Sequence, residues 1–233
     1  MFRWFALPAA ALACSVPAMA DSFMPPTVQE VRSPQESAVV TVIPAMLSCA
    51  VGEGDCEPAA RAVVELVRGN ERFASRTVRL VNREAPGTVL VTDDGERLLT
   101  IDDYGRWGFG ENVLVVYDGS GKIIAKHSLN DFLPEDYING LPRTVSTLRW
   151  WSAEPRIEPG THSAILSLHL VEAGGWQGRG DALELAVDLD TGEIERPSGT
   201  RFEQALNCTR ANGWLVPDKA AEPERERYRK LCR

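Results

Sequence analysis

Between Asn82 and Leu133 the residue order leaves little choice but short antiparallel strands. Apolar runs at Val89–Thr92, Arg97–Ile101, Asn112–Tyr117 and Lys122–His127 are rich in β-branched residues. They are interrupted by Asp94-Gly95, by glycines 105, 108 and 110, and by Gly119-Ser120-Gly121. Branched side chains favour the pleated backbone, and Asp-Gly or Gly-Ser-Gly supplies the tight turn that returns the chain antiparallel. This is information about fold; it names no reaction.

The flanks extend the same pattern. Ser37–Ile43 reads as a strand stopped by Pro44. Ala59–Arg68 has helix-like punctuation at Pro58 and Gly69, but Val63, Val64 and Val67 are β-branched. Gly69-Asn70 then leads directly into Phe73–Val81, so strand–turn–strand is expected, with a helix as the alternative. Further strands are expected at Thr144–Trp151, Ala164–Val171, Ala182–Asp188 and Glu193–Arg196. Ser128–Tyr137 reads as a helical turn or loop, which Pro134 keeps short. Arg201–Asn212 and Pro223–Leu231 have helical composition, the second alternating Glu and Arg as a solvated face does. The organisation predicted is a signal segment over 1–20, an extended mobile lead-in over 21–36, an antiparallel β domain over 37–199 and a helical C-terminal cap over 200–233. The fold class is mainly β, in propeller-like or sandwich-like sheets of about eight to ten strands.

Arg3, the apolar run Trp4–Val16 and Ala18-Met19-Ala20 have the order of a secretory signal. The run is shorter than the ~18 residues of a spanning helix and contains Pro8. Ala11-Leu12-Ala13-Cys14 loosely matches a lipidation box, which makes lipoprotein attachment through Cys14 the minor alternative. No later stretch is long and apolar enough to span a bilayer, so no integral membrane segment is expected in the mature chain. Cys49, Cys56, Cys208 and Cys232 follow the signal. An even number in an oxidising compartment implies two disulfides with three pairings open, and proximity favours Cys49–Cys56 and Cys208–Cys232. The expected location is periplasmic or secreted. A formal charge of −8 at pH 7 argues against nucleic-acid binding, which needs a basic footprint.

Thr92-Asp93-Asp94-Gly95-Glu96-Arg97-Leu98-Leu99-Thr100 resembles a hairpin of β-propeller blades, and Val115–Lys122 resembles the next hairpin of such a blade. Leu185–Ile194 is similar to the same device. The block Leu80–Trp151 also resembles exported bacterial proteins of unassigned function. The resemblance implies antiparallel β structure and no activity. The chain is too short for a six- or seven-bladed ring at ~40–45 residues per blade.

The densest polar cluster is Asp102, Asp103, Arg106 and Trp107, followed by Glu111. As an exposed loop it offers carboxylates, a guanidinium and an aromatic platform to a saccharide or peptide. As plain structure, the two Asp end a strand and Trp107 packs at the edge of the core. Adjacent strand residues face opposite ways, so Asp102 and Asp103 are not expected to converge on one atom. A second cluster is Arg143 with Trp150, Trp151 and Arg156; here one Trp is expected in the core and the other at the surface. His127, His162 and His169 lack metal-ligand spacing, and no G-x-S-x-G elbow occurs. Asp188–Glu193 resembles the start of a calcium loop, but Gly192 stands fifth where an oxygen ligand is needed, so it reads as a turn. No cofactor and no metal are expected. The function predicted is an exported, non-catalytic binding module for an envelope protein or glycan, using Asp102, Asp103, Arg106, Trp107, Glu111, Arg143, Trp150 and Trp151. The alternative is an envelope glycan or peptide hydrolase using the loop carboxylates Asp103 and Glu111.

Overall fold

The structure is a computed structural model that describes residues 24–45, 59–172, 182–212 and 222–232. The signal segment, Cys14, and the Cys49–Cys56 pair lie outside the described residues. Three antiparallel sheets follow one another along the chain. The first contains β1 (Gln29–Arg32), β2 (Ala38–Ile43), β3 (Arg61–Arg68) and β4 (Glu71–Arg79), in that order. The second is β5 (Pro86–Val91), β6 (Arg97–Asp103), β7 (Leu114–Asp118) and β8 (Ile123–His127), again in sequence order. The third is β9 (Trp151–Ile157), β10 (Ser163–His169) and β11 (Ala182–Asp188). Helices α1 (Glu135–Gly140), α2 (Thr200–Asn212) and α3 (Glu222–Leu231) complete the described elements, with a 3-10 turn at Leu129–Asp131. The fold is mainly β as expected, with eleven strands among the described residues.

The middle sheet decides the layering. Residues 98–102 and 114–117 are buried without interruption, where a sheet wet on one side would alternate. Leu98, Val115 and Tyr117 point to one face, where they meet Val40, Val64 and Val78 of the first sheet. Leu99, Ile101, Leu114 and Val116 point to the other and join Leu166 and Leu168 of β10. Each such side chain contributes roughly 1.5–3 kcal/mol by leaving water, so the middle sheet anchors two cores at once. The first strands of the sheets lie together, β1 against β5 and β5 against β9.

One turn ties the three sheets at one end. Asp93, between β5 and β6, accepts the backbone N–H of Gln35 through Oδ1 (2.7 Å) and that of Gly160 through Oδ2 (3.0 Å). Its neighbour Asp94 accepts from the Thr92 hydroxyl (2.7 Å) and the Glu96 N–H (2.8 Å), closing the turn on itself. Asp94 Oδ2 also lies 2.9 Å from His162 Nε2, and His162 Nδ1 lies 2.8 Å from Asp190 Oδ1. Arg97 completes the chain of charges, 2.7 Å from Asp190.

The strand–turn–strand expectation for residues 59–81 is what the chain adopts. Val40 pairs with Val64 and Val64 with Arg76, so β3 has ladder partners on both sides that a helix would forfeit. The expected lead-in needs correction, because it contains β1, with Val31 opposite Val40. Prolines 25, 26 and 34 concealed a strand that satisfies the open backbone edge of β2. Thr144–Trp151 is corrected as well: it is a tight loop, and the strand begins at Trp151. The Thr144 hydroxyl accepts the N–H groups of Ser146 (3.3 Å) and Thr147 (3.1 Å), which draws this backbone into a turn. β9 instead runs through Pro155, tolerated because β9 is an edge strand. The strand expected at Glu193–Arg196 is reduced to a single bridge between Ile194 and Val187.

At the C-terminus α2 and α3 are joined by a Cys208–Cys232 disulfide, the pairing proximity favoured. Phe202 of α2 meets the Tyr137 ring of α1 at 4.9 Å between centroids. Among the described residues no helix is long and apolar enough to cross a membrane.

Candidate binding cleft

The site is built at the other end of the middle sheet, where β6 runs out. Asp102 has φ of 58°, an uncommon backbone conformation for a residue with a Cβ. Its carboxylate lies in the interior, and the residue is 1% exposed. Three N–H donors converge on it. The Gly108 amide donates to Oδ1 at 2.6 Å, the Trp150 indole reaches Oδ1 at 3.1 Å and Oδ2 at 3.2 Å, and the Trp151 indole reaches Oδ2 at 3.0 Å. Burial pushes the Asp102 pKa up to about 6, while the Trp151, Gly108 and Trp150 donors pull against that rise. An acceptor-only anion suits three donors, whereas a protonated acid would set its own O–H against them.

One tryptophan lies in the core and the other opens to the cleft, as expected, but the two do not face opposite ways: both indole N–H groups meet at one carboxylate. The reason is local irregularity. Trp150 precedes β9, and the β9–β10 register shifts between Ser167 and Leu168, next to the Leu168–Trp151 pair. Regular alternation therefore does not apply at this step. Trp150 is fully buried, with the Phe132 ring edge-on at 5.7 Å. Trp151 is half-buried and stacks on Trp107, with centroids 5.8 Å apart and planes 24° apart. Trp107 is 37% exposed, more open than the expected packing at the core edge.

Residues 142–149 close over this pair. Their loop is pinned by Thr144 N–H to Thr147 O (2.8 Å) and Arg149 N–H to Pro142 O (2.8 Å). It docks on the β6–β7 loop through Leu148 N–H to Trp107 O at 2.8 Å. Gly108 permits the approach: its φ is +74°, and a Cβ there would stand 2.9 Å from both Leu148 Cβ and Leu148 O. Between the two loops lies a cleft of about 480 Å³ lined by Trp107, Trp151, Arg143, Arg149, Thr147 and Ser152, among others. Such a volume suits a small ligand or a few residues of a peptide. Among the described residues two arginines and no acidic side chain line it, in a chain whose formal charge is −8.

Of the residues singled out in the sequence, Trp107, Arg143 and Trp151 line the cleft, with Asp102 and Trp150 bonded beneath. Arg143 donates to Ile138 O at 2.8 Å. The other three are elsewhere. Asp103 is half-buried and accepts from Asn82 Nδ2 at 2.8 Å; burial pushes its carboxyl up against that hydrogen bond. Arg106 is exposed in the turn, its N–H bonded to Asp103 O. Glu111 has an 83% exposed side chain paired with Lys126 at 2.9 Å, and the ammonium holds its carboxyl below the usual range. Arg156, considered with the tryptophans, pairs with Glu184. Arg149, Thr147 and Ser152 were not anticipated, and no spacing marks them; they reach the cleft only because the 142–149 loop folds back. Asp188 is a turn residue, accepting the Asp190 and Thr191 N–H groups. Among the described residues no cluster of three His, Cys, Asp or Glu could hold a metal.

No family model matches the chain, and no curated protein is similar to it. Among solved structures, the chain is similar to one from a structural and mechanistic analysis of two prolyl endopeptidases. The identity is 13% over 74% of this chain and 26% of that one, with a TM-score of 0.30. The chain thus spans about a quarter of that protein's length, and a likeness this loose carries no argument about activity.

Proposed function

We propose that the protein is an exported, non-catalytic binding module of the cell envelope whose partner, an envelope protein or glycan, enters the cleft beside Trp107 and Trp151. The observation that carries this reading is the commitment of Asp102. The Asp102 carboxylate beneath the cleft is occupied by Gly108 and two indole N–H groups, so it positions the aromatic wall and is not free to act on a substrate. The Cys208–Cys232 disulfide and the signal-like first twenty residues support a periplasmic or secreted location, with attachment through Cys14 as the minor form.

The hydrolase alternative rests on Asp103 and Glu111. Neither lines the cleft, and each already has a partner in Asn82 or Lys126, so it draws less support. The test is binding of the mature protein to peptide and glycan arrays, with Trp107→Ala as the comparison. Loss of about tenfold or more in affinity, with an unchanged far-ultraviolet spectrum, is expected for an aromatic contact at the centre of a site. Unchanged binding by W107A, or hydrolysis abolished by D103N and E111Q, would reverse the assignment.

A further inference from the structure

We infer, resting on the reading of this cleft as a binding site, that its occupant is a segment of a partner polypeptide in which an apolar residue stands next to a carboxylate. Three features of the cleft wall point there. First, the stacked Trp107 and Trp151 offer an apolar platform, and Pro142 and Leu148 add to it. Second, among the described residues the charges on the wall are Arg143 and Arg149 alone, a cationic spot on an acidic chain. Arg143 spends one N–H on Ile138 O, and its buried Nε meets no acceptor among the described residues. Arg149 is exposed at the rim. Guanidinium groups are suited to a carboxylate, which can accept two parallel N–H bonds.

Third, the polar groups are the wrong kind for a neutral sugar. Binding sugar hydroxyls takes both acceptors and donors, yet among the described residues no Asp, Glu, Asn or Gln lines the cleft. The hydroxyls that do line it are partly spent: Ser152 Oγ reaches Ser167 O at 3.4 Å, and Thr144 Oγ1 accepts two backbone N–H groups. Outside the cleft lining, the 142–149 loop also carries Val145, an apolar side chain left fully exposed. A small ligand would leave Val145 in water; a passing polypeptide would cover it.

The experiment uses blocked heptapeptides that differ only at the centre, Phe-Glu, Phe-Gln or Phe-Lys, together with a neutral N-acetylglucosamine oligomer. Binding is read from the indole N–H resonances of Trp107 and Trp151. The Phe-Glu peptide is expected to bind about fivefold more tightly than Phe-Gln at low salt, with Phe-Lys weakest and the ratio falling towards one at high salt. Arg149→Gln should remove most of the Glu-over-Gln preference, weakening Phe-Glu far more than Phe-Gln. Val145→Asp should weaken all three peptides. Equal affinity for Phe-Glu and Phe-Gln, a ratio insensitive to R149Q, or no peptide shift of either indole overturns the proposal. If the oligosaccharide alone moves the indoles, the peptide assignment falls while the cleft keeps its binding role. If W107A alters no interaction of any array ligand, the binding reading falls as well.

Discussion

Strand β6 joins two Asp-Asp pairs whose fates are opposite. Asp93 and Asp94 sit in the turn before it, at the end where the three sheets are tied together. Burial alone would raise both, but Asp93 gains the Gly160 and Gln35 N–H groups, and Asp94 gains the Thr92 hydroxyl, the Glu96 N–H and His162. Both therefore stay below the usual carboxylate range. Asp102 and Asp103 end the same strand, and there burial wins: Asp102 rises to about 6 and Asp103 is also raised. Donor number does not separate the two ends, since Asp102 has three donors. Access to water does, because even three donors fall short of the hydration a 1% exposed carboxylate gives up. One end uses carboxylates as surface fasteners; the other uses a carboxylate as a buried keystone under an aromatic cleft.

The largest effect expected follows from that contrast. Asp102→Ala would strand the Gly108, Trp150 and Trp151 N–H groups in the interior and should cost about 3–5 kcal/mol of stability. Asp93→Ala exposes its freed donors to water and should cost about 1 kcal/mol. Urea unfolding of the two variants measures the difference, and equal costs would erase the contrast. Asp102→Asn adds the pH test. A folded pKa near 6, above the ordinary value near 3.9, means that the native state holds this proton more tightly than the unfolded chain. Asp102 therefore lowers wild-type stability as pH rises from about 4 to about 6, by roughly 3 kcal/mol in all. The destabilisation of D102N relative to wild type should shrink across that window and be flat above it. A penalty that grows with pH would show that the donors, and not burial, control this carboxylate.

Two glycines sharpen the comparison at the level of the backbone. Gly95 in the β5–β6 turn and Gly108 under the cleft both have left-handed φ, +68° and +74°. A Cβ at Gly95 would meet the tip of the Leu66 side chain at 3.1 Å, whereas at Gly108 it would meet the Leu148 backbone oxygen at 2.9 Å. A side-chain tip yields and a backbone oxygen does not. Gly95→Ala should thus cost about 1 kcal/mol, the backbone penalty alone, and Gly108→Ala about 2–4 kcal/mol, with the 142–149 loop displaced. Thermal midpoints rank the pair, and loss of peptide binding only in G108A would tie the loop to the cleft.

The same contrast explains what could be read in the sequence. The turn end was legible because its determinants are contiguous: Thr92-Asp93-Asp94-Gly95 specifies a hairpin within four residues. The middle sheet was legible for the same reason, and the pairing of Cys208 with Cys232 followed from their being the nearer partners in sequence. The cleft was legible only in pieces. Trp107, Arg143 and Trp151 stood out by type, but their meeting depends on Asp102 leaving the strand at positive φ and on Trp150 preceding a shifted register. Arg149 carried no signal, because only the return of the 142–149 loop brings it to the tryptophans. Glu111 looked like a partner of Asp103 by proximity along the chain, but from the loop before β7 it pairs with Lys126 of β8. β1 was missed because its pairing is imposed by the free edge of β2 and barely by its own residues.

The smallest effect expected belongs to His162, and it distinguishes a fastener from a keystone by the direction of its pH window. Both ring nitrogens face carboxylate oxygens, Asp190 at 2.8 Å and Asp94 at 2.9 Å. A neutral imidazole has one N–H and would aim a lone pair at the second carboxylate, so only the imidazolium satisfies both. The Asp190 hydrogen bond, opposed by burial and supported by Asp94, raises the His162 pKa above its usual value. Its stabilisation is then fully present below about pH 6.5 and is lost as pH rises through the elevated folded value. Asp94 and Asp190, both held low, add stability above about pH 4 that is lost as pH falls. The fastening is therefore strongest between these limits, where carboxylates and imidazolium are charged together. His162→Gln should cost about 1 kcal/mol or less at pH 5.5, as for other partly exposed ion pairs, and less still at pH 8.5 or in high salt. Urea midpoints at the two pH values read the difference between variant and wild type. A cost that is the same at both, or that rises with pH, would mean that a neutral imidazole fills this position and that its charge adds nothing to the fastening.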